Sequence, residues 1–343
     1  MKRLRLLIPL TLFVVVAPGC RGAEAPSGAP TAQAVAPALP TPTLASTEPA
    51  DIAETPTPVP TATDFAATAT APPPTPLITP SPPPPDATPI TSPCVTPGRI
   101  EQGTLESAVA GETMRYRVYL PPCYGDDGHA YPALYMFGGN IHDDAIWDTL
   151  GLDDAAEVMI NAGEIPPALI VMPDNGWLAN TTTSGPKSYE GFVLDELIPH
   201  IEATYCAWPA DVGRAVGGLS RGGYWSLMMA FRRPDLFRSA GAHSPALIDS
   251  HAGPAEDPVI VGATNALDDL RIWVDIGERD PYLIEARPLH DSLTSADVAH
   301  EWRVNPGTHE EAYWRENLQG YLAWYSDGWR INRTELPTCD ALR

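Results

Sequence analysis

Basic residues are scarce in this sequence. The 343 residues include 21 lysines and arginines against 43 aspartates and glutamates, and residues 94 to 343 carry 37 acidic and 17 basic side chains. So negative a domain is repelled by phosphate backbones, which argues against nucleic acid and other polyanions as partners. Most of this charge is expected to be solvated surface rather than part of a site.

Metal-binding cysteine patterns and membrane-spanning runs are also missing. The five cysteines form no C-x-x-C pair, and none has a histidine at zinc-like spacing. We therefore expect no metal site. No cofactor is expected either. The apolar run from Leu6 to Val16 is too short to cross a bilayer as a mature helix.

The amino-terminal residues resemble an export signal. Positive charges precede the run from Leu6 to Val16, and Ala17-Pro18-Gly19-Cys20 follows it. A small residue before a cysteine resembles a bacterial lipobox, in which the cysteine is lipidated. Residues 1–20 are thus predicted to be a lipoprotein-type signal peptide. Cys20 would anchor the protein to the outer face of a bacterial membrane, and a plain cleaved signal is the alternative.

Proline usage divides the remaining chain. Of the 40 prolines, 23 lie in the first 100 residues. Residues 21–93 have too little apolar surface to offset the entropy of ordering and are predicted to be a disordered Pro/Thr/Ala-rich linker. Residues 94–343 are sufficient for one large core, and we expect them to form a single catalytic domain.

Four cysteines follow Cys20, at positions 94, 123, 206 and 339. In an exported protein an even number of cysteines suggests disulfides. Three pairings are possible. Position along the chain favours Cys94–Cys339, which would tie the two ends of the domain, together with Cys123–Cys206.

Strand-like and helix-like segments alternate through residues 94–343. The strand candidate Met114–Leu120 has alternating polarity, and Ala133–Phe137 and Ala168–Met172 are short continuous apolar runs. Further strand candidates are Arg214–Gly217, Ser239–Ala242, Arg271–Ile276 and His300–Val304. The helical patterns are Asp153–Ala162, Tyr189–Tyr205, Gly223–Arg232, Ile284–Ala296 and Glu310–Trp324. This order predicts an α/β fold with a doubly wound, mostly parallel sheet and helices on both faces, whose active site lies at the carboxyl ends of the strands.

The motif Gly218-Leu219-Ser220-Arg221-Gly222-Gly223 directly follows a predicted strand and precedes a predicted helix. This is the setting of a nucleophile elbow, where small residues two before and two after the serine avoid collision. Ser220 is therefore the predicted nucleophile, although a glycine-rich turn with a bystander serine remains the alternative.

A base and an acid should follow the serine in that order along the chain. His309 follows the last strand candidate and is the preferred base, with His243 second; His251, His290 and His300 are interpreted as surface or packing residues. Asp280, just beyond the strand that ends at Ile276, is the preferred acid. The alternatives are Glu278 and a structural role for Asp280 as a helix cap, whereas Asp275 lies inside the strand pattern.

An oxyanion hole needs two backbone N–H donors. One is predicted at Arg221, directly after the nucleophile. The other is predicted at Asn140, with Ile141 second, in the loop Gly138-Gly139-Asn140-Ile141. Residues suggested to line the substrate cleft, although aromatic side chains are more often core, are Gly139, Trp147, Trp177, Tyr224, Trp225 and Trp314.

With these motifs, the chain resembles the esterase D, or enterochelin-esterase-like, branch of the α/β hydrolases, which includes feruloyl esterases and mycolyltransferases. The resemblance covers about residues 110 to 330. It rests on the segments at 116–122, 131–135, 196–205 and 217–223, and on Gly307-Thr308-His309 with Trp314-Arg315. One departure is that the family often has His-Gly where this chain has Gly138-Gly139.

The resemblance implies an α/β-hydrolase fold, a triad of Ser220, Asp280 and His309, and oxyanion donors at Asn140 and Arg221. The expected activity is hydrolysis of a small-molecule or carbohydrate-linked carboxylic ester through an acyl-enzyme. Two alternatives stay open: acyl transfer of the mycolyltransferase type, and a non-catalytic surface binding module on a hydrolase fold. The binding-module alternative would be favoured if the side chains of Ser220, Asp280 and His309 did not converge in space.

Overall fold

The computed structural model describes residues 94–247, 253–330 and 332–342. The predicted signal peptide at 1–20 with its lipidation site Cys20, the predicted linker at 21–93, and His251 lie outside the described residues. In the part of the chain that is described, no helix is both long and apolar enough to cross a membrane.

Within the described ranges the chain forms one eight-stranded sheet. Its strands are β1 Arg99–Ser107, β2 Glu112–Leu120, β3 Ala133–Phe137, β4 Leu169–Pro173, β5 Arg214–Leu219, β6 Ser239–His243, β7 Arg271–Gly277 and β8 Glu301–Asn305. Their order across the sheet is β1-β2-β4-β3-β5-β6-β7-β8. The pairs made by β2 with β1 and β4 are antiparallel, and the other pairs are parallel. The predicted doubly wound sheet is therefore confirmed.

Helices connect the parallel strands and cover both faces of the sheet. They are α1 Ile146–Leu150, α2 Leu152–Ala162, α3 Gly176–Thr181, α4 Tyr189–Gly191, α5 Ile198–Tyr205, α6 Arg221–Arg232, α7 Pro258–Thr264, α8 Leu283–Ser295 and α9 Glu311–Ser326. A wide π-helical turn at Phe192–Leu197 joins α4 to α5. It lies just before Pro199, which has no amide proton to donate to the preceding turn.

The core has two layers, one on each face of the sheet. Along β3, Tyr135 and Phe137 belong to the core layer that includes residues of α5, α6 and α8, whereas Leu134 and Met136 belong to the layer that includes residues of α2 and α9. Side chains alternate faces along a strand, so a strand buried on both sides reads as a continuous apolar run. This is why the central strands could be recognised in the sequence.

Strand β1 was not predicted. It lies at the edge of the sheet, and most of its side chains are at least partly exposed, so it lacks an apolar pattern. Its nine residues pair in antiparallel register with β2, from Arg99 opposite Leu120 to Ser107 opposite Glu112. Gly103 lies directly against the ring of Tyr116, where a Cβ atom would collide with the phenol.

The predicted disulfide pairing is wrong. The bonds are Cys94–Cys123 and Cys206–Cys339. The β1–β2 hairpin brings Cys94, just before β1, to Cys123, just after β2. The segment from Gly128 to Tyr131 bonds to the backbone of both Cys339 and Cys206, which brings that pair together. Position along the chain could not reveal these long-range contacts.

Proteolysis without reduction should release one disulfide-linked peptide pair containing Cys94 and Cys123 and another containing Cys206 and Cys339. Removing Cys206–Cys339 by a double serine substitution should lower the free energy of unfolding by about 2 to 5 kcal/mol. This bond closes a separation of 133 residues, against 29 for Cys94–Cys123, so its loss should be the more costly in denaturant titrations. A peptide linking Cys94 to Cys339 would contradict the pairing.

Candidate active site

The turn between β5 and α6 holds Ser220 in a strained conformation. Its backbone has φ 55° and ψ −120°, a region that residues with a side chain rarely adopt. Gly218 and Gly222 allow the turn because each packs on backbone. A Cβ at Gly218 would lie 2.4 Å from the carbonyl carbon of Gly222, and one at Gly222 would lie 2.4 Å from the oxygen of Phe137. This is the collision expected from the sequence motif.

Ser220, His309 and Asp280 converge in a chain of hydrogen bonds. Ser220 Oγ lies 2.9 Å from His309 Nε2, and His309 Nδ1 lies 2.9 Å from Asp280 Oδ2. The three residues follow the carboxyl ends of β5, β8 and β7 respectively. Parallel strands end at one edge of the sheet, which explains how residues up to 89 positions apart meet.

Asp280 uses its two carboxylate oxygens for two purposes. While Oδ2 faces His309, Oδ1 accepts a hydrogen bond from the amide of Tyr282 at 2.8 Å. The capping role and the contact with the histidine therefore coexist. Glu278, the alternative acid, is exposed and lies 3.9 Å from the guanidinium of Arg279.

Two aromatic rings flank the imidazole of His309. Tyr282 and Trp314 make edge-on contacts with it, at centroid distances of 4.7 and 5.1 Å. Trp314 is buried, so it forms a wall behind His309 rather than an open binding surface. These contacts limit the rotation of the imidazole away from Ser220.

The runner-up residues His243 and Asp275 belong to the core. His243 Nδ1 lies 2.6 Å from Asp275 Oδ1, and neither side chain is exposed. His243 Nε2 also contacts the hydroxyl of Tyr325, while Asp275 Oδ2 accepts from Tyr313 and Tyr321. All five groups are satisfied within one buried polar network, as buried charge requires. His243 is therefore not the partner of Ser220.

The loop after β3 faces the Ser220 turn and is held from two sides. Buried Asn175 donates from Nδ2 to the carbonyls of Gly138 at 2.6 Å and Gly139 at 3.0 Å. The backbone amide of His142 donates to the Gly139 carbonyl as well. Because a trans peptide is planar, anchoring the Gly139 carbonyl turns the Asn140 N–H to the opposite side. Arg221 is the first residue of α6, so its amide lies at the positive end of the helix dipole.

The side chain of Arg221 stays away from the turn and braces α3. Its guanidinium lies over the ring of Tyr224 at 4.6 Å, and Nε lies 3.4 Å from the carbonyl of Ala179. Trp225 Nε1 donates to the same carbonyl at 3.0 Å. These contacts hold the segment that follows Asn175 against α6.

The prediction of cleft-lining aromatics is largely wrong. Trp147, Tyr224 and Trp225 are fully buried, because each fills the space between the sheet and a helix. Trp177 is half exposed and does line a cleft of about 520 Å³ beside the loop after β3. Gly139 lies next to the nucleophile, since a Cβ there would be 3.1 Å from Ser220 Cβ.

The cleft is polar and carries acidic groups. Its walls include the carboxylates of Asp143, Asp174 and Glu311, the imidazole of His142 and the exposed side chain of Ile141. Burial lowers the pKa of His142 below its usual value of 6.5. Within the described ranges, no three histidine, cysteine, aspartate or glutamate side chains are grouped as a metal would require.

Two residues of the site, Asn175 and His142, were missed in the sequence. Asn175 lies two residues after β4, and His142 lies five residues after β3. A signal was present, since both follow the carboxyl ends of parallel strands, where the site was expected. Neither belongs to a recognisable motif, so only the folded chain shows their contacts.

Comparison with known proteins finds an esterase family model and several esterases. Residues 107–325 match the family model described as "Putative esterase". Esterase Rv1288 of Mycobacterium tuberculosis is 29% identical over 270 residues, covering 64% of this chain and 58% of that protein. An endo-1,4-beta-xylanase/feruloyl esterase of Xylanibacter ruminicola is 29% identical over 242 residues, covering 65% of this chain and 30% of that protein. The chain thus spans little more than half the length of the first relative.

Solved structures share the fold at lower identity. A ferulic acid esterase superposes with a TM-score of 0.62 at 23% identity, covering 68% of this chain and 98% of that one. An S-formylglutathione hydrolase of Staphylococcus aureus superposes with a TM-score of 0.58 at 16% identity, covering 67% and 99%. Since the matching family model covers more than half of the residues, the chain belongs to this esterase family, and it shares the fold of the solved esterase structures.

Proposed function

We propose that this protein is a serine carboxylic-ester hydrolase in which Ser220 is the nucleophile, His309 the general base and Asp280 the residue that orients His309. The observation that carries the proposal is the unbroken chain of two 2.9 Å contacts from Ser220 through His309 to Asp280. It begins on a strained turn at the start of a helix, where a nucleophilic serine is held in α/β hydrolases.

The proposed reaction begins with proton transfer from Ser220 Oγ to His309 Nε2 as Oγ bonds to the ester carbonyl carbon. His309 then gives this proton to the departing alcohol oxygen as the carbon–oxygen bond breaks. Water repeats the sequence on the acyl-enzyme and releases the acid. Asp280 keeps the proton of neutral His309 on Nδ1 and stabilises the imidazolium that forms in each step.

The negative oxygen of the tetrahedral intermediate needs backbone donors, and we assign this role to the amides of Asn140 and Arg221. Two observations support the assignment. The Gly139 carbonyl is anchored by Asn175 and His142, which turns the Asn140 amide to the other side of the peptide. Arg221 directly follows Ser220 and begins α6, where backbone amides point outward.

Hydrolysis is favoured over acyl transfer because the cleft beside the loop is polar. Carboxylates at Asp143 and Glu311 and the amides of Asn140 and Asn180 line it, and such groups hold water beside the loop that faces Ser220. The convergence of the three side chains likewise disfavours a binding module without activity. Some relatives are named as feruloyl or ferulic acid esterases. Hydroxycinnamoyl esters, including carbohydrate-linked ones, are therefore the first group of substrates to assay.

We also propose that the protein is exported and held on the outer face of a bacterial membrane by lipid on Cys20. The support is the positive start, short apolar run and Gly19-Cys20 sequence at residues 1–20. The proline-rich stretch at 21–93 would then act as a spacer between the lipid and the esterase domain.

A fluorophosphonate probe should label purified protein at Ser220, as located by mass spectrometry of its peptides. The His309→Ala variant should label at least about a hundredfold more slowly, since its serine lacks a base. His300→Ala, at the start of β8, removes a histidine remote from this chemistry and should label at the wild-type rate. A folded wild-type protein without an adduct would overturn the proposed mechanism.

The two acidic residues that follow β7 provide a matched pair of variants. Asp280→Asn should lower kcat for a nitrophenyl ester by about a thousandfold or more, because His309 loses its orienting carboxylate. Glu278→Gln should leave kcat within about twofold, since Glu278 lies exposed beside Arg279. Equal losses in the two variants would contradict the assignment of Asp280.

Expression in a bacterial host with a lipoprotein pathway tests the anchor. Wild-type protein should enter the membrane fraction and incorporate labelled fatty acid, whereas Cys20→Ser should do neither, because the acceptor thiol is gone. Ser27→Ala, a nearby substitution that leaves Cys20 in place, serves as the control and should incorporate label as the wild type does. Fatty-acid incorporation that persists in Cys20→Ser would rule out this attachment site.

A further inference from the structure

The imidazole of His142 is bonded to the loop that faces Ser220. Its Nδ1 accepts a hydrogen bond from the Gly139 amide at 3.1 Å, and the backbone amide of His142 donates to the Gly139 carbonyl at 3.1 Å. A backbone amide can only donate, so Nδ1 carries a lone pair. The ring is therefore neutral, with its proton on Nε2.

This contact lies beside the nucleophile. A Cβ placed on Gly139 would be 3.0 Å from His142 Nδ1 and 3.1 Å from Ser220 Cβ, so the imidazole and the serine flank the same glycine. Residue 142 thus touches both peptide groups of Gly139. One of these peptides carries the N–H of Asn140, which we assigned to the oxyanion hole.

We propose that His142 is a positioning residue whose neutral imidazole holds the oxyanion loop, and that protonation of this imidazole releases the loop and turns hydrolysis off. The inference rests on the proposed function, since it needs Ser220 and the Asn140 amide in their assigned roles. A protonated ring would present an N–H at Nδ1 to the N–H of Gly139. Two donors cannot bond, so the contact is lost and the loop loses one of its attachments.

Burial and the charges around His142 together set the pH at which its imidazole is protonated. Burial and the neighbouring His309 disfavour the charged ring, whereas Glu311 and Asp143 favour it. Burial is the largest effect and lowers the pKa of His142 below 6.5. The loop is therefore intact at neutral pH, and its release belongs to the acidic range.

Trp314 separates the two imidazoles of the site. Its ring contacts His142 at a centroid distance of 6.4 Å and His309 at 5.1 Å, both edge-on. Because hydrolysis needs both rings neutral, kcat/KM of the wild type should fall with the second power of proton concentration at the acidic extreme.

Two substitutions distinguish the role of His142 Nδ1 as a hydrogen-bond acceptor from the effect of protonating the imidazole. His142→Leu removes the acceptor and should lower kcat by about a hundredfold or more at neutral pH, with little change in KM, as loss of oxyanion stabilisation would. His142→Asn places a carbonyl oxygen near the position of Nδ1 and cannot be protonated in this range. It should recover most of the activity lost in His142→Leu, and its acidic limb should show one proton instead of two.

The test records kcat/KM for a nitrophenyl ester against pH in the full chain and in His142→Leu, His142→Asn and the control His300→Asn, whose half-buried histidine contacts His290 instead of the site. The control should keep the two-proton limb. A two-proton limb in His142→Asn, or wild-type kcat in His142→Leu, would overturn the inference. Fluorophosphonate labelling of the same samples at neutral pH tells the two failures apart. Unlabelled Ser220 defeats the proposed function, whereas labelled Ser220 with an unchanged limb defeats only the role of His142.

A second readout does not depend on any variant being active. In protein labelled with ¹⁵N-glycine, one amide resonance should shift with pH as His142 takes up its proton, and this titration should vanish in His142→Asn. The same resonance should titrate unchanged in His300→Asn. The absence of any glycine amide that follows this pattern would contradict the bond between Gly139 and His142.

Discussion

The close packing of backbone around Ser220 is the constraint on which the site depends. Gly218 and Gly222 leave no room for a Cβ atom, and Gly222 lies against the carbonyls of Phe137 and Gly138. The turn after β5 is therefore locked to the loop after β3. A shift of either would change the distance between the serine oxygen and the amides that face it, which is why a strained φ at Ser220 is tolerated.

The buried polar network around His243 and Asp275 is hydrogen-bonded to the turn that holds Ser220. The Ser220 amide donates to the carbonyl of His243, and the Ser244 amide donates to that of Asp275. The side chains of His243 and Asp275 in turn hold Tyr321 and Tyr325 of α9, the helix that begins two residues after His309. Tyr325 also fills the space that Gly217 and Gly241 leave open on neighbouring strands. The strands that carry the nucleophile and the helix beside the base are thus joined through the core.

Much of this site could be predicted from the sequence because its main signals are local. The glycines around Ser220 are demanded by a turn of a few residues. Asp280 follows the buried apolar strand β7, and His309 follows a strand candidate that ends in the turn Asn305-Pro306-Gly307-Thr308. Contacts between distant segments could not be predicted in this way. The Cys94–Cys123 disulfide depends on the β1–β2 hairpin, whose outer strand has no apolar pattern, and Cys206–Cys339 depends on the segment from Gly128 to Tyr131. Buried and cleft-lining tryptophans look alike in a sequence, so Trp147 and Trp225 were predicted to line the substrate cleft although they are fully buried.

The central claim is that the hydroxyl of Ser220 performs the chemistry. The most direct test compares turnover of an activated ester by the wild type and Ser220→Ala, both purified and shown to have the same circular dichroism. The account predicts that the variant loses about a ten-thousandfold or more of kcat, leaving only the residual rate that an oxyanion hole provides. A correctly folded Ser220→Ala protein with turnover near that of the wild type would contradict it.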